Sequence, residues 1–312
     1  MKSITNKIET LRKAVAQSCV MVKPDSLERL LANNLPKKDV LAVARVAGVM
    51  AAKKTSELIP YCHPIPMDYV EIEYNFGEGC ITIQAAVEAV SKTGVEMEAL
   101  MAVSITALTI YDMLKPVDKD VIIQDTKLLS KTGGKSDFQE KIPASFSAAV
   151  IVTSDGTAKG TREDKSGKII KERLKKFGIK STYTVLPDEK DKIVAKLNEL
   201  YRNGVQLILT TGGTGLGPRD VTVEATKEIM DREITGIMEA ARTFGQKRTP
   251  YAMLSRGIVG QKGKTLIVNL PGSSKGCEET LDAIFPAILH SYKMMRGEGH
   301  TKSQNAAYMG TR

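Results

Sequence analysis

The sequence predicts two folds in series: an α+β domain with helices on one face of a sheet, then an α/β domain whose mostly parallel sheet is covered on both faces, in three layers. Three observations predict this. At 312 residues the chain is about twice a typical single domain, so two separate cores are expected. Its first part mixes helical stretches with alternating strands and ends in a polar, glycine-containing segment. Beyond that segment the rhythm becomes strand and helix in turn, with short apolar strands of the kind a parallel sheet buries on both faces.

In order, residues 7–17 and 38–58 read as helices, the second rich in Ala and Val with a basic end at Lys53-Lys54. Val70 to Phe76 alternates as a strand, the Gly77-Glu78-Gly79 loop turns the chain back into a second strand over 80–84, and Thr93-Gly94 opens a long apolar helix to about Leu114. A last strand lies near 121–129. This organisation gives a first domain over 1–138, a linker over 139–146 and a second domain over 147–312, the polar, unperiodic composition reaching from 131 to 147. In the second domain, strands near 148–153, 181–186, 206–211 and 265–270 alternate with helices near 165–177, 190–203, 222–246 and 275–292. Ligands in such folds sit at the carboxyl ends of the strands, where both glycine-rich turns of this half fall. The two halves show no internal repeat.

Composition narrows the function. The four cysteines, Cys19, Cys62, Cys80 and Cys277, form no C-x-x-C pair, which argues against a zinc ribbon, a redox dithiol or a secreted disulfide framework and suits the cytoplasm. The N-terminus has no apolar leader, and no run approaches the roughly 18 uninterrupted apolar residues of a membrane span. A net charge of +9 points to an anionic partner. With aromatics at 5% and no Trp to stack bases, phosphorylated small molecules are favoured over nucleic acid. Lysines such as Lys168, Lys171, Lys175 and Lys176 read as a solvated face.

Two stretches exceed what a core requires. Ile59-Pro60-Tyr61-Cys62-His63-Pro64 places a thiol and an imidazole in a proline-bracketed turn, and Thr211-Gly212-Gly213-Thr214-Gly215-Leu216-Gly217-Pro218-Arg219-Asp220 ends a strand in backbone N–H groups open to an anion. On the long apolar helix, Glu98 and Asp112 are fourteen residues apart, roughly 21 Å along one face. They cannot both touch one reacting atom, so a site using both serves a long substrate or is assembled between subunits. Asp112 and Lys115 are neighbours three apart, within reach for proton transfer or as an ordinary ion pair. In the second half, Pro271-Gly272-Ser273-Ser274-Lys275-Gly276 repeats the strand–loop–helix pattern, and neither loop matches a Walker sequence.

Lys37-Lys38-Asp39-Val40, the turn from Leu58 to Pro64, Lys92 to Leu100, Leu108 to Met113 and Ser130 to Ser136 together resemble the cyclic pyranopterin monophosphate synthase (MoaC) family of molybdenum-cofactor biosynthesis, over about 1–138. Most of the short leading segment usual in that family is absent ahead of Asn6-Lys7. The resemblance implies a ferredoxin-like α+β fold, hexameric assembly with sites between subunits, and conversion of a cyclised dihydroguanosine triphosphate to cyclic pyranopterin monophosphate and pyrophosphate, with no tightly bound cofactor. By matching position it implies Asp112 as general acid or base assisted by Lys115 and Lys37, and Tyr61, Cys62, His63, Met97, Glu98 and Lys53 as substrate contacts.

Thr153-Ser154-Asp155, the Gly160 to Gly167 turn, Leu186-Pro187-Asp188-Glu189 and the two glycine loops resemble the molybdopterin adenylyltransferase and molybdopterin-binding (MoaB/Mog) family over roughly 147–300. That implies Asp188 and Asp220 as a pair holding Mg²⁺ and MgATP, with Gly212, Gly213, Thr214, Gly215, Gly272, Ser273, Ser274 and Lys275 around phosphates and molybdopterin. Carboxylates suit Mg²⁺, which keeps several waters. The expectation is a cytoplasmic, trimeric or hexameric fusion of two enzymes of one pathway, binding neither nucleic acid nor membrane. The alternative keeps the second domain as a pterin-binding or oligomerising scaffold without turnover.

Overall fold

Residues 1–297 are described by the computed structural model, which falls into two units, Met1–Asp137 and the residues from Phe138 onward. The first contains β1 (Thr10–Met21), α1 (Pro24–Leu31), α2 (Val40–Lys53), α3 (Thr55–Leu58), β2 (Tyr69–Gly77), β3 (Cys80–Ser91), α4 (Glu96–Leu114) and β4 (Ile122–Thr132). Its sheet has the order β2-β3-β1-β4, and every neighbouring pair is antiparallel.

The helix expected over 7–17 is instead the inner strand β1, bonded to β3 on one side and β4 on the other. Its residues alternate, with Ala14, Ala16, Ser18 and Val20 buried, and pairing on both edges outweighs local helix propensity. Because β1 antiparallel to β3 sets Met21 opposite Cys80, Cys19 and Cys80 meet and are joined as a disulfide across 61 residues of sequence. Spacing along the chain reveals only neighbouring pairs, so this bridge was not expected. Helix α1, which opens with Pro24 in its first turn, was not expected.

Helices α2 and α4 pack on one face of this sheet. By length and hydropathy α4 could cross a membrane, yet half of it is buried inside the unit. Ala99, Ala102, Val103, Thr106, Ala107 and Ile110 face the sheet and α2. Gly48 of α2 is the point of closest approach, since a Cβ there would lie 2.0 Å from Thr106 Oγ1 and 3.0 Å from the Ala102 carbonyl. Lys37, just before α2, meets Asp112 at the end of α4, so the two helices run antiparallel and Lys53 lies toward the Glu98 end.

The second unit contains β5 (Ser147–Thr153), α5 (Asp155–Ala158), α6 (Ser166–Lys176), β6 (Lys180–Leu186), α7 (Lys190–Arg202), β7 (Leu207–Thr211), α8 (Thr222–Ile229), β8 (Arg232–Glu233), α9 (Thr235–Gln246), β9 (Val259–Lys262), β10 (Thr265–Leu270), α10 (Ser274–Ile284) and α11 (Ser291–Met295). The sheet order is β6-β5-β7-β10-β9-β8; the first four strands are parallel, and β9 alone is reversed, pairing antiparallel with β10 and with β8. Alternate residues feed two cores. Val150, Leu209 and Val268 pack with α6, α9 and α10, while Ile151, Ile208 and Ile267 pack with α7 and α8. The sheet is therefore mixed and three-layered. The stretch 222–246, expected as one helix, is broken by β8, which pairs with the unexpected β9. The stretch 275–292 breaks after Ile284, before Pro286, whose missing N–H cannot extend a helix.

The expected linker is docked on this unit. Glu140 is ion-paired to Lys293 and lies 2.6 Å from His290 Nδ1, and Phe146 meets Tyr292 edge-on at 5.2 Å. The second domain's expected residues 298–312 lie outside the described residues.

Candidate active sites

In the first unit, Asp112 occupies the last turn of α4, where two cations converge on it. Lys37 Nζ lies 2.6 Å from Oδ2 and also donates to the Asp112 carbonyl at 3.0 Å, while Lys115 Nζ lies 2.8 Å from Oδ1. These bonds, Lys115's first, pull the Asp112 carboxyl down to about 2, and the same contact raises Lys115. All three side chains are open to solvent. At neutral pH the cluster is thus a fixed carboxylate between two ammonium groups, able to hold phosphate on the lysines or to lend their protons.

The other expected residues gather at the opposite end of α4. Glu98, in its first turn, is 3% exposed, and burial raises its carboxyl with help from the charge of Glu96, against the pull of its own backbone N–H. Cys62 is raised by burial and by the charge of Glu98, which places the turn beside this end of the helix. His63 is half-buried; Tyr61, Lys53 and Met97 are exposed. Within one chain the structure brings together Lys37, Asp112 and Lys115, and brings Cys62 to Glu98. It does not bring these groups to each other.

A third feature escaped sequence reasoning. Arg12, Lys13, Thr93, Glu96, Lys131 and Asp137 line a cavity of about 320 Å³ where β1 and β4 meet the start of α4. Arg12 is 7% exposed, donates from Nε to the Ser91 carbonyl at 3.2 Å, and is lowered chiefly by burial. Lys131 pairs with Glu96 at 3.0 Å. Burial alone would raise Glu96, but its backbone N–H, Lys131 and Arg12 hold it below its ordinary value. With β1 read as a helix, nothing in the sequence could place Arg12 beside Lys131.

In the second unit the loops after β5, β6, β7 and β10 surround a cavity of about 910 Å³. Gly212 and Gly213 end β7 at φ +100° and +63°, where a Cβ would lie 2.2 Å from the Thr153 carbonyl and from Thr222 Oγ1 respectively. Only glycine fits such left-handed, crowded positions. Thr153 closes the turn from β5, donating to the Thr211 carbonyl at 3.2 Å and sharing a 3.0 Å bond with Thr222. The far limb is pinned as Asp220 Oδ2 accepts from Gly217 N at 2.8 Å, so Asp220 braces the loop, and the helix cap after it is Val221. After β10, Ser273 caps α10 by accepting from Gly276 N at 3.2 Å.

Asp188 and Asp155 lock their loops by exchange: Asp155 N donates to Asp188 Oδ2 at 2.9 Å and Asp188 N to Asp155 Oδ1 at 3.1 Å. Arg219 grips Asp155 through Nε and Nη2 at 2.8 to 3.1 Å, which holds Asp155 low. Asp188 is raised, first by burial and then by the charges of Asp155 and Asp220, against the pull of the Asp155 amide and Arg219. Asp188, Gly212 to Gly215, Asp220 and Gly272 to Ser274 all line the one cavity. Lys275 does not; it lines an adjoining hollow of about 280 Å³ with Met238, Arg242 and Tyr251. As the second residue of α10 it is turned about 100° from Ser274. No cluster of three or more His, Cys, Asp or Glu is arranged for a metal among the described residues.

Sequence reasoning also missed the bracing of the glycine loop by Arg256, which donates to the carbonyls of Gly215 at 2.6 Å and Asp220 at 2.7 Å while paired to Glu224. A lone arginine in a loop carries no local signal.

Residues 1–134 match the MoaC family, and residues 149–290 match the probable molybdopterin binding domain. The chain is 42% identical to the molybdenum cofactor biosynthesis bifunctional protein of Chlorobaculum tepidum, over 96% of each. Over 44% of its length it is 53% identical to the cyclic pyranopterin monophosphate synthase of Brevibacillus brevis, of which it covers 86%. Among solved structures, the molybdopterin biosynthesis enzyme MoaB of Thermus thermophilus is 43% identical, with 49% of this chain and 97% of that chain covered, at a TM-score of 0.46. By its near-full-length likeness and its two matched domains, the chain belongs to the family of bifunctional molybdenum cofactor biosynthesis proteins.

Proposed function

We propose that the first unit is a cyclic pyranopterin monophosphate synthase and that the second binds molybdopterin and adenylylates it with MgATP. For the first reaction the carrying observation is Asp112 held between Lys37 and Lys115. The lysines suit a triphosphate, and as ammonium groups they are the proton donors while Asp112 is the acceptor. The β-α-β-β-α-β order supports a ferredoxin-like reading of this unit. Association of several copies, which the family resemblance makes a trimer or hexamer, has two supports. Glu98 and Asp112 stand at opposite ends of a 19-residue helix. Val43, Val46 and Met50 form an exposed apolar stripe on α2, with Leu108 and Tyr111 exposed on α4, and such a patch on a single copy marks an association surface. A second copy would then bring the Cys62–Glu98 end to the Asp112 cluster.

For the second reaction the support is the cavity where Asp188, Asp220 and both phosphate-cradling loops converge. Asp188 and Asp220 fit Mg²⁺, because both carboxylates line the one cavity and the charge of Asp220 acts on Asp188, a repulsion that a divalent cation relieves, and two oxygen ligands suffice for an ion that keeps its waters. When bound, the ion would neutralise the nucleotide's phosphates. Backbone N–H groups of Gly213 to Gly215 and the α10 N-terminus would orient them, the Gly212 N–H being given to the Leu270 carbonyl. An oxygen of the pterin's phosphate attacks the α-phosphorus of ATP, forming a P–O–P linkage as the α–β bond breaks and pyrophosphate leaves.

Both reactions are to be assayed on the purified full-length chain with Asp112→Ala and with the Asp188→Ala, Asp220→Ala double variant. Asp112→Ala should lower the first reaction by about 10²-fold or more and spare the second; the double variant should do the reverse. Equal loss of both would mean these residues serve folding. Molybdopterin bound by the wild type with no adenylylated product would make the second unit a scaffold.

A further inference from the structure

The adenylylation reading requires the second cavity to hold two phosphorylated ligands, and the sheet order offers two places for them. The parallel strands run β6-β5-β7-β10, so the loops after β5 and β10 flank the glycine loop after β7. At about 4.8 Å between strands they stand roughly 10 Å apart. The β10 side presents Gly272, Ser273 and Ser274 at the start of α10. The β5 side carries two cations, Arg162 and Lys165, on the loop between α5 and α6, and both line the cavity.

These cations differ from the others around the cavity. Arg219, which also lines it, is spent on Asp155, and Glu163 between the two is paired to Lys168, whereas neither Arg162 nor Lys165 has an ion-pair partner within 4 Å among the described residues. The loop that carries them is nonetheless fixed. Thr161 N and Arg162 N both donate to the Gly156 carbonyl, at 2.9 and 3.2 Å. Next to Lys165, Asp164 is 8% exposed; its Oδ1 accepts from Gly167 N at 2.9 Å and Ser166 Oγ at 3.3 Å, and its Oδ2 accepts from Tyr183 OH at 2.6 Å. Gly167 permits this packing, since a Cβ there would lie 2.4 Å from Asp164 Oδ2 and 2.6 Å from Val152. Two uncommitted cations on a braced loop, across the glycine loop from the other phosphate cradle, are preorganised for an anion.

We propose that Arg162 and Lys165 bind the phosphate monoester of the pterin substrate, leaving the Gly272–Ser274 side to the nucleotide. This inference rests on the adenylylation reading. It places the acceptor phosphate and the nucleotide on either side of Gly212 to Gly215, over which the α-phosphorus would lie.

The test compares the full-length wild type with Arg162→Ala, Lys165→Ala and the double variant, with Lys175→Ala at an exposed position of α6 as control. AMP transfer is followed by mass, and molybdopterin binding by fluorescence. Loss of two charge-assisted contacts should raise the KM for molybdopterin about tenfold or more in the double variant, with the KM for MgATP within about twofold and the control unchanged. Arg162→Lys with Lys165→Arg should restore part of the loss. A rise in the KM for MgATP instead, or no change in either while transfer continues, overturns the assignment. Should the wild type bind molybdopterin without transferring AMP, the adenylylation reading fails alone; the double variant must still bind molybdopterin about tenfold more weakly, and unchanged binding overturns the inference too.

Discussion

Glu98 shows how a single buried carboxyl can be held at the expense of stability. Its carboxyl is raised by burial, so folding favours the protonated form. The stability it contributes is present below its unfolded-state pKa and is lost as pH rises through the higher folded value. Glu98→Gln should therefore stabilise the first unit at pH 8, by about 1–3 °C in Tm, with the gain vanishing toward pH 4. Thermal melts at both pH values check this, and a variant less stable at pH 8 would show that Glu98 is held as a paired carboxylate. Asp112 shifts the opposite way, to about 2, because Lys115 and Lys37 hold it from exposed positions. Spacing alone suggested the Asp112–Lys115 pair, since residues three apart on a helix must adjoin. It gave no hint of the geometry at Lys37, which the fold brings in from 75 residues away.

Among elements, the packing of α2 on α4 sets two physical rules against each other. Helix propensity says that Gly48→Ala, inside α2, should stabilise by about 1 kcal/mol. The contact says otherwise, because a Cβ would lie 2.0 Å from Thr106 Oγ1, 2.5 Å from Ile72 Cδ1 and 3.0 Å from a backbone carbonyl. Packing should win, with a net loss of about 1–3 kcal/mol from overpacking. Calorimetry of the full chain would read it as a lowered transition for the first unit and an unmoved one for the second; a raised transition would mean the helices separate freely. The error over 7–17 belongs to this scale as well. A strand bonded on both edges needs no strong intrinsic preference, and the alternation of small residues along β1 is hard to tell from an Ala-rich helix. The long helix and the glycine-ended strands were legible because their signals are local.

For the whole molecule, the apolar stripe at Val43, Val46 and Met50 argues that the working form holds several copies. Light scattering should give a mass near three or six times 33.9 kDa. Val46→Asp, at a side chain 64% exposed, should lower that mass and the first activity together while leaving the monomer folded. A wild-type monomer would remove the basis for a site shared between subunits.

By itself the sequence determined the two-fold organisation, the strand–loop–helix units of the second half and the glycine, aspartate and lysine residues of the candidate sites. The organisation depends on residues adjacent in the chain, where periodicity and turn chemistry act directly, whereas the roles of the site residues were implied by short motifs that resemble two families. Only the tertiary structure decided the pairing of β1, the Cys19–Cys80 bridge, the cavity at Arg12 and Lys131, the diversion of Lys275 into a neighbouring hollow, and the brace from Tyr183 to Asp164. These contacts join residues far apart in sequence, and burial and strand pairing select them over the whole chain at once, so no local window contains their cause.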